Sequence, residues 1–160
     1  MDKLDTMDDW QFIFGALLVV ANRMDTLLER ELSHYDITAK QWMLSIVIEN
    51  RFNKPPTIKE VAKEMGSSHQ NIKQLALKLA EKKLLVLEKD SKDARVTRLR
   101  LTKASQVFWE QTQGSALAFS QALFQNTKEE ELTKTRSLLS KLLLNLEIME
   151  AENVSGKEVN

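Results

Sequence analysis

The sequence predicts a mainly α-helical chain that carries one small β-hairpin between its helices. Three observations predict it. Gly and Pro number only 4 and 2 in 160 residues, so few positions interrupt a helix. Helix-start boxes, a hydroxyl followed three residues later by Glu or Gln, stand at Thr38–Gln41, Thr57–Glu60, Ser67–Gln70 and Thr127–Glu130. Near residues 84–101 the apolar pattern shifts from helical spacing to a run and an alternation.

The first helix is expected over 8–34. Ile13, Leu17, Val20, Met24 and Leu27 follow one stripe, and Phe12, Phe14, Leu18 and Val19 occupy the remaining faces. A helix that is apolar nearly all round must be covered nearly all round. Helices over 38–50, 58–65 and 68–82 follow. Pro55 and Pro56 lie in the extended stretch before Thr57, and Gly66 stands where the third helix needs a positive φ to end. Ile72, Leu75, Ala76 and Leu79 make the buried stripe of the fourth.

Leu84 to Leu87 is then a continuous apolar run, and Val96 to Leu101 alternates. Thr97, Leu99 and Leu101 share one strand face, while Arg98 and Arg100 share the other. The polar stretch from Glu88 to Arg95 closes a hairpin. Helix, short helix, helix and ribbon in that order make a winged helix-turn-helix.

Two more helices are expected, over 103–125 and 128–150. The last carries Leu132, Thr135, Leu139, Leu142, Leu146 and Met149 at alternating three-four spacing, and Leu138, Leu143 and Leu144 widen the stripe. At about 25 cal/mol per Å² of apolar surface, leaving such leucines wet costs several kcal/mol. A second copy is the simplest cover, so both chain ends should build a homodimer. The expected organisation is residues 1–36 as the first dimerisation helix, 37–102 as the winged lobe, 103–150 as the remaining dimerisation helices, and 151–160 as a frayed tail containing Gly156.

Total charge is zero, 23 basic against 23 acidic residues, but it is segregated. Residues 1–50 carry net −5, residues 51–103 net +8 and residues 104–160 net −3. A basic middle on an acidic scaffold suits a polyanion reader. The absence of cysteine excludes disulfides, thiolate metal sites and thiol-based peroxide sensing. His34 and His69 lie in different elements, the glycines form no phosphate loop, and no metal-ligand cluster stands in the chain, so neither an enzyme nor a cofactor or metal site is expected. The apolar run Phe12–Ala21 is too short to span a bilayer, and it follows Asp2, Asp5, Asp8 and Asp9, the wrong prelude for a secretory signal. A soluble cytoplasmic protein is expected, with no membrane partner.

In a helix-turn-helix the second helix enters the major groove of double-stranded DNA. Its outward residues here are His69, Gln70, Asn71, Lys73, Gln74 and Lys78. Gln and Asn bond bidentately to adenine, and Lys donates to guanine or phosphate. Ser67, Ser68 and the first amides of the helix suit a phosphate oxygen. Gln70 either completes a cap with Ser67 or faces the groove. Lys78, Lys82 and Lys83 read as phosphate contacts or solvated lysines. At the hairpin tip Arg95 is placed to enter a narrow minor groove, Asp93 to orient it, and Arg98 and Arg100 to add phosphate contacts.

Four stretches carry a family resemblance: "ITAKQWMLSIVIE", "TIKEVAKEMGSSHQNIKQLALKLAEKKLL", "DSKDAR" and "RLRLT". Over Ile37–Thr102, about two-fifths of the chain, they resemble the MarR family of winged-helix transcription regulators. The resemblance implies a homodimer on a pseudopalindromic operator, a repressor of the adjacent promoter, and release by a small aromatic or phenolic effector held between the lobes. It also implies that Arg95 reaches the minor groove with Asp93 bracing it, and that Ser68 to Gln74 contact bases and phosphates. Two positions depart from the family pattern. Ala94 replaces the first of two wing arginines, and Lys83 stands where glycine is common, so a lysine must adopt a left-handed conformation or the turn must change.

Phe14, Leu18, His34, Tyr35, Trp42, Phe108 and Trp109 are the candidate lining of an effector cleft, although aromatic residues at helical spacing are more often plain core. The competing function is a winged-helix module that binds a protein partner instead of DNA. The charge segregation and Arg95 argue against it.

Overall fold

A computed structural model describes residues 7–155, with side chains through residue 152. Asp2, Asp5 and Gly156 lie outside the described residues. The elements are α1 (Asp9–Ser33), α2 (Ala39–Arg51), α3 (Ile58–Glu64), α4 (His69–Glu81), β1 (Leu85–Lys89), β2 (Thr97–Leu101), α5 (Lys103–Leu123) and α6 (Glu129–Ser155). The mainly helical class and the hairpin are as expected. The final helix runs about five residues further than anticipated, to Ser155, so residues 151–155 of the expected frayed tail are helical.

The chain divides into two compact units after Phe119. In the first, one core joins the helix-turn-helix to its ribbon. Leu44 and Ile48 of α2, Val61 of α3, Ile72, Ala76 and Leu79 of α4, and Leu84, Leu85 and Leu99 at the hairpin are all buried. The strands pair antiparallel, with Leu87 opposite Leu99 and Leu85 opposite Leu101, so the alternation of Thr97–Leu101 turns its leucines toward the helices. Leu99 N–H also donates to Pro56 O at 2.8 Å, tying the ribbon to the segment before α3.

Two of the four expected helix-start boxes form, at Thr38–Gln41 and Thr57–Glu60. The other two do not. At α4 the cap is Ser68, whose Oγ accepts from Asn71 N at 3.1 Å. At α6 Lys128 N donates to Glu131 Oε2 at 2.7 Å, and Thr127 Oγ1 turns back to Phe124 O.

Gly66 ends α3 at φ +57°, as expected, and Lys83 ends α4 at φ +61°. After α4, Leu84 N–H returns to Leu79 O at 3.0 Å and Lys83 N–H to Ala80 O at 2.9 Å. That pair of bonds satisfies the last carbonyls of the helix and requires a left-handed residue between them. For a lysine that conformation costs about 1 kcal/mol or more, and glycine adopts it freely. Lys83→Gly should therefore raise stability by about 0.5–1 kcal/mol after glycine's larger entropy in the unfolded chain is counted. A thermal melt should move up by roughly 2 °C. A fall in Tm would show that the lysine stem stabilises the turn by more than its backbone costs.

α1 and α6 contribute little to this core. Among the described residues of α1 only Leu32 is buried, and none of α6 is. Phe12, Phe14, Leu18 and Val19 on α1, and Leu143, Leu144 and Leu146 on α6, are exposed in the single chain. α1 is also long and apolar enough, by length and composition, to cross a membrane. The short Phe12–Ala21 run concealed this, because Arg23 and Asp25 are the only charges between Trp10 and Leu27.

Candidate nucleic-acid interface

Two features of the first unit offer polar and basic side chains outward: the leading half of α4 and the ribbon tip. α4 buries Ile72, Ala76 and Leu79, so the helical period leaves His69, Gln70, Asn71, Lys73, Gln74 and Lys78 exposed. Ser68 and Ser67 both brace Asn71: the first accepts its backbone amide, the second its side-chain Nδ2 at 2.9 Å. Because the cap falls on Ser68, Gln70 is left exposed on the first turn rather than tied to Ser67. The first free amides of this 13-residue helix carry the partial positive charge of its N-terminus. Lys82 is committed elsewhere: its Nζ bonds Asp36 Oδ2 at 2.8 Å and the Asp36 carbonyl. Lys78 and Lys83 are exposed.

At the ribbon tip, Asp93 Oδ1 accepts from Arg95 N at 3.0 Å and from Arg95 Nε at 3.2 Å. Arg95 itself is 91% exposed along its side chain. Asp93 thus sets the direction of a guanidinium that remains in solvent. The arginine beside it holds the Asp93 carboxyl below the usual carboxylate range.

Sequence reading missed Asp90. Its Oδ1 accepts from Lys92 N at 2.8 Å and Asp93 N at 3.1 Å, and its Oδ2 accepts from Arg98 Nε. One carboxylate therefore folds the tip and anchors it. The bond from Arg98, followed by those two amides, lowers the Asp90 pKa to about 2. Arg98 also donates from Nη1 to Pro55 O at 2.9 Å. Arg98 and Arg100, expected as phosphate contacts, are therefore engaged within the protein, Arg100 by Glu88. Each arginine reaches a carboxylate diagonally across the ribbon, since its directly opposed residues are Glu88 and Val86.

The expected effector residues do not all meet. Tyr35, Phe108 and Trp109 form a chain of edge-to-face rings, with centroids 6.4 and 4.8 Å apart, and Tyr35 Oη lies 2.9 Å from Ser115 Oγ. Trp42 and Trp109 line one cleft between α2 and α5. Phe14, 67% exposed, Leu18, 57% exposed, and His34 are not part of that cleft. Among the described residues no cluster of His, Cys, Asp and Glu suited to a metal ion occurs.

No protein-family model and no curated protein sequence matches the chain. Solved structures do. A MarR protein from Peptoclostridium difficile is 18% identical at TM-score 0.77, covering 93% of this chain and 94% of its own. The S. aureus MepR–DNA complex is 21% identical at TM-score 0.73, covering 88% of this chain and 99% of that one. Bordetella bronchiseptica BpsR, whose DNA binding is regulated by 6-hydroxynicotinic acid, is 21% identical at TM-score 0.68, covering 80% and 91%. The likeness is one of fold: this chain has the winged-helix architecture of MarR-family regulators.

Proposed function

We propose that the chain is a MarR-type transcription regulator, a homodimer that binds double-stranded DNA at a pseudopalindromic operator and represses the adjacent promoter in the cytoplasm. The observation that carries this reading is the pairing of an exposed Gln/Asn/Lys-lined first half of α4 with an Arg95 held outward by Asp93, both on the net +8 segment. In this reading His69, Gln70, Asn71, Lys73 and Gln74 face base edges. Ser67, Ser68, Lys78 and the α4 amides hold phosphates, and Arg95 enters the minor groove. Arg98 acts from within, as part of the wing's frame. The protein–protein alternative loses ground because a basic face gives a neutral partner little to bind.

The same reading includes release by a small aromatic ligand seated against Trp42 and Trp109. Regulation of the Bordetella protein's DNA binding by 6-hydroxynicotinic acid supports that a protein of this fold can work so.

Duplex binding measured against salt tests the reading. A dimer making six to ten phosphate contacts should lose about 10³–10⁵ in affinity between 50 and 200 mM salt. Lys73→Ala or Gln74→Ala should change base preference by about 1–3 kcal/mol at one position of each half-site. Selected half-sites should lie about 34–36 Å apart, one helical turn. Affinity that ignores both salt and these substitutions would move the DNA surface elsewhere or remove it.

A further inference from the structure

The cleft between α2 and α5 has a charge that the sequence did not reveal. Its α2 wall is one helical stripe containing Trp42, Ser45 and Glu49, and its α5 wall another containing Trp109, Glu110 and Thr112. Ser45 and Thr112 are buried and the two tryptophans half-buried, whereas Glu49 and Glu110 are exposed. The hydroxyls and rings therefore make the floor, and the carboxylates stand at the rim. Among the described residues no Lys, Arg or His lines the cleft. Its volume, about 540 Å³, is that of a drug-sized ligand site.

We propose that this cleft binds a planar aromatic organic cation, with its ring against the tryptophans and its ammonium or amidinium toward Glu49 and Glu110. Indole rings offer an apolar, aromatic wall to a planar ring, and a ring of drug size fits the cleft that the two tryptophans line. An aromatic carboxylate or phenolate would instead place its charge beside two carboxylates with no positive partner among the described lining residues, a repulsive arrangement. Both hydroxyls of the floor are already used: Ser45 Oγ donates to Gln41 O, and Thr112 Oγ1 to Trp109 O. The indole Nε1 of Trp109, in contrast, is buried with no hydrogen-bond partner among the described residues. The aromatic or phenolic effector expected of the sequence is thus narrowed to an aromatic cation. The assignment deepens the effector reading given above and rests on it for any consequence at DNA, but the binding itself does not require DNA.

The test is calorimetric titration of the full-length protein, without DNA, with three probes that share one ring system and differ in charge: 2-naphthylmethylammonium, 2-naphthol and 2-naphthoate. The cation should bind at least tenfold more tightly than the naphthoate. The paired substitution Glu49→Gln and Glu110→Gln should weaken the cation about tenfold and leave naphthol within twofold, which also reports that the cleft is intact. Equal or tighter binding of naphthoate, no binding of any probe, or cation affinity indifferent to the paired substitution would each overturn the assignment. Because no duplex is present, failure here leaves the DNA reading standing, and failure of the DNA reading leaves these affinities unexplained but unchanged.

Discussion

Replacing Leu139 and Leu146 together by Glu is expected to convert the protein from a dimer to a monomer and to lower operator affinity by about two to four orders of magnitude. Both residues lie on the three-four seam of α6, and both are exposed in the single chain, at 39% and 53%. Inside one chain the substitution is therefore cheap, and helix content by circular dichroism should hold. Between two copies it is not. Four leucines that each contribute about 1.5–3 kcal/mol when fully buried would be replaced by four carboxylates that would have to be buried or paired. Sedimentation should report the 18.4 kDa chain where the parent sediments at about twice that mass. DNA affinity should fall with it, because a tethered second reader binds its half-site at an effective concentration near millimolar and a free one does not. A parent protein that already sediments as one chain, or a variant that stays paired, would show that the apolar face of α6 is covered by something else.

The helices and the ribbon were legible because their signals are local: capping residues, apolar spacing, and one change of period. Lys83 shows how far such reasoning reaches. The sequence left two outcomes at that turn, a left-handed lysine or an altered turn, and the φ of +61° is the first of them. The capping boxes show where it stops. Ser67 and Ser68 are each followed three residues later by a polar side chain, Gln70 and Asn71, so the pattern alone is degenerate. Gly66 decides it: the left-handed turn sends Ser67 N–H back to Ala62 O, which consumes Ser67 in ending α3 and leaves Ser68 to begin α4. Asp90 was missed for a related reason. An aspartate bonding the amides after it is an ordinary turn signal, but its union with Arg98 depends on the strand register, and no single strand encodes that. The cleft lining meets its limit at the same level. Helix faces can be read from spacing, yet which helices meet cannot, and so Phe14 and Leu18 were grouped with Trp42 and Trp109 although they stand exposed on α1.

Asp90 also sets up the second large effect, in which the sign of the change separates two ideas. If the wing were only a collection of charges, Asp90→Asn would remove a negative charge near phosphate and strengthen DNA binding. The geometry predicts the opposite. Without that carboxylate Arg98 keeps the Pro55 carbonyl but loses its ion pair, the Lys92 and Asp93 amides lose their acceptor's charge, and the frame that orients Asp93 and Arg95 slackens. Duplex affinity should fall about ten- to a hundredfold, comparable to Arg95→Ala, and the two substitutions combined should cost little more than either alone because they disable one device. pH gives an independent handle. The Asp90 pKa stands at about 2 in the folded wing against an ordinary 3.8, so its stabilisation of the tip is complete above about pH 4 and is lost as pH falls toward 2. Hydrogen exchange at the Lys92 and Asp93 amides should accordingly report opening of the tip on acidification in the parent, and in Asp90→Asn already at neutral pH. Tighter DNA binding by Asp90→Asn would mean that the wing meets the groove by charge alone.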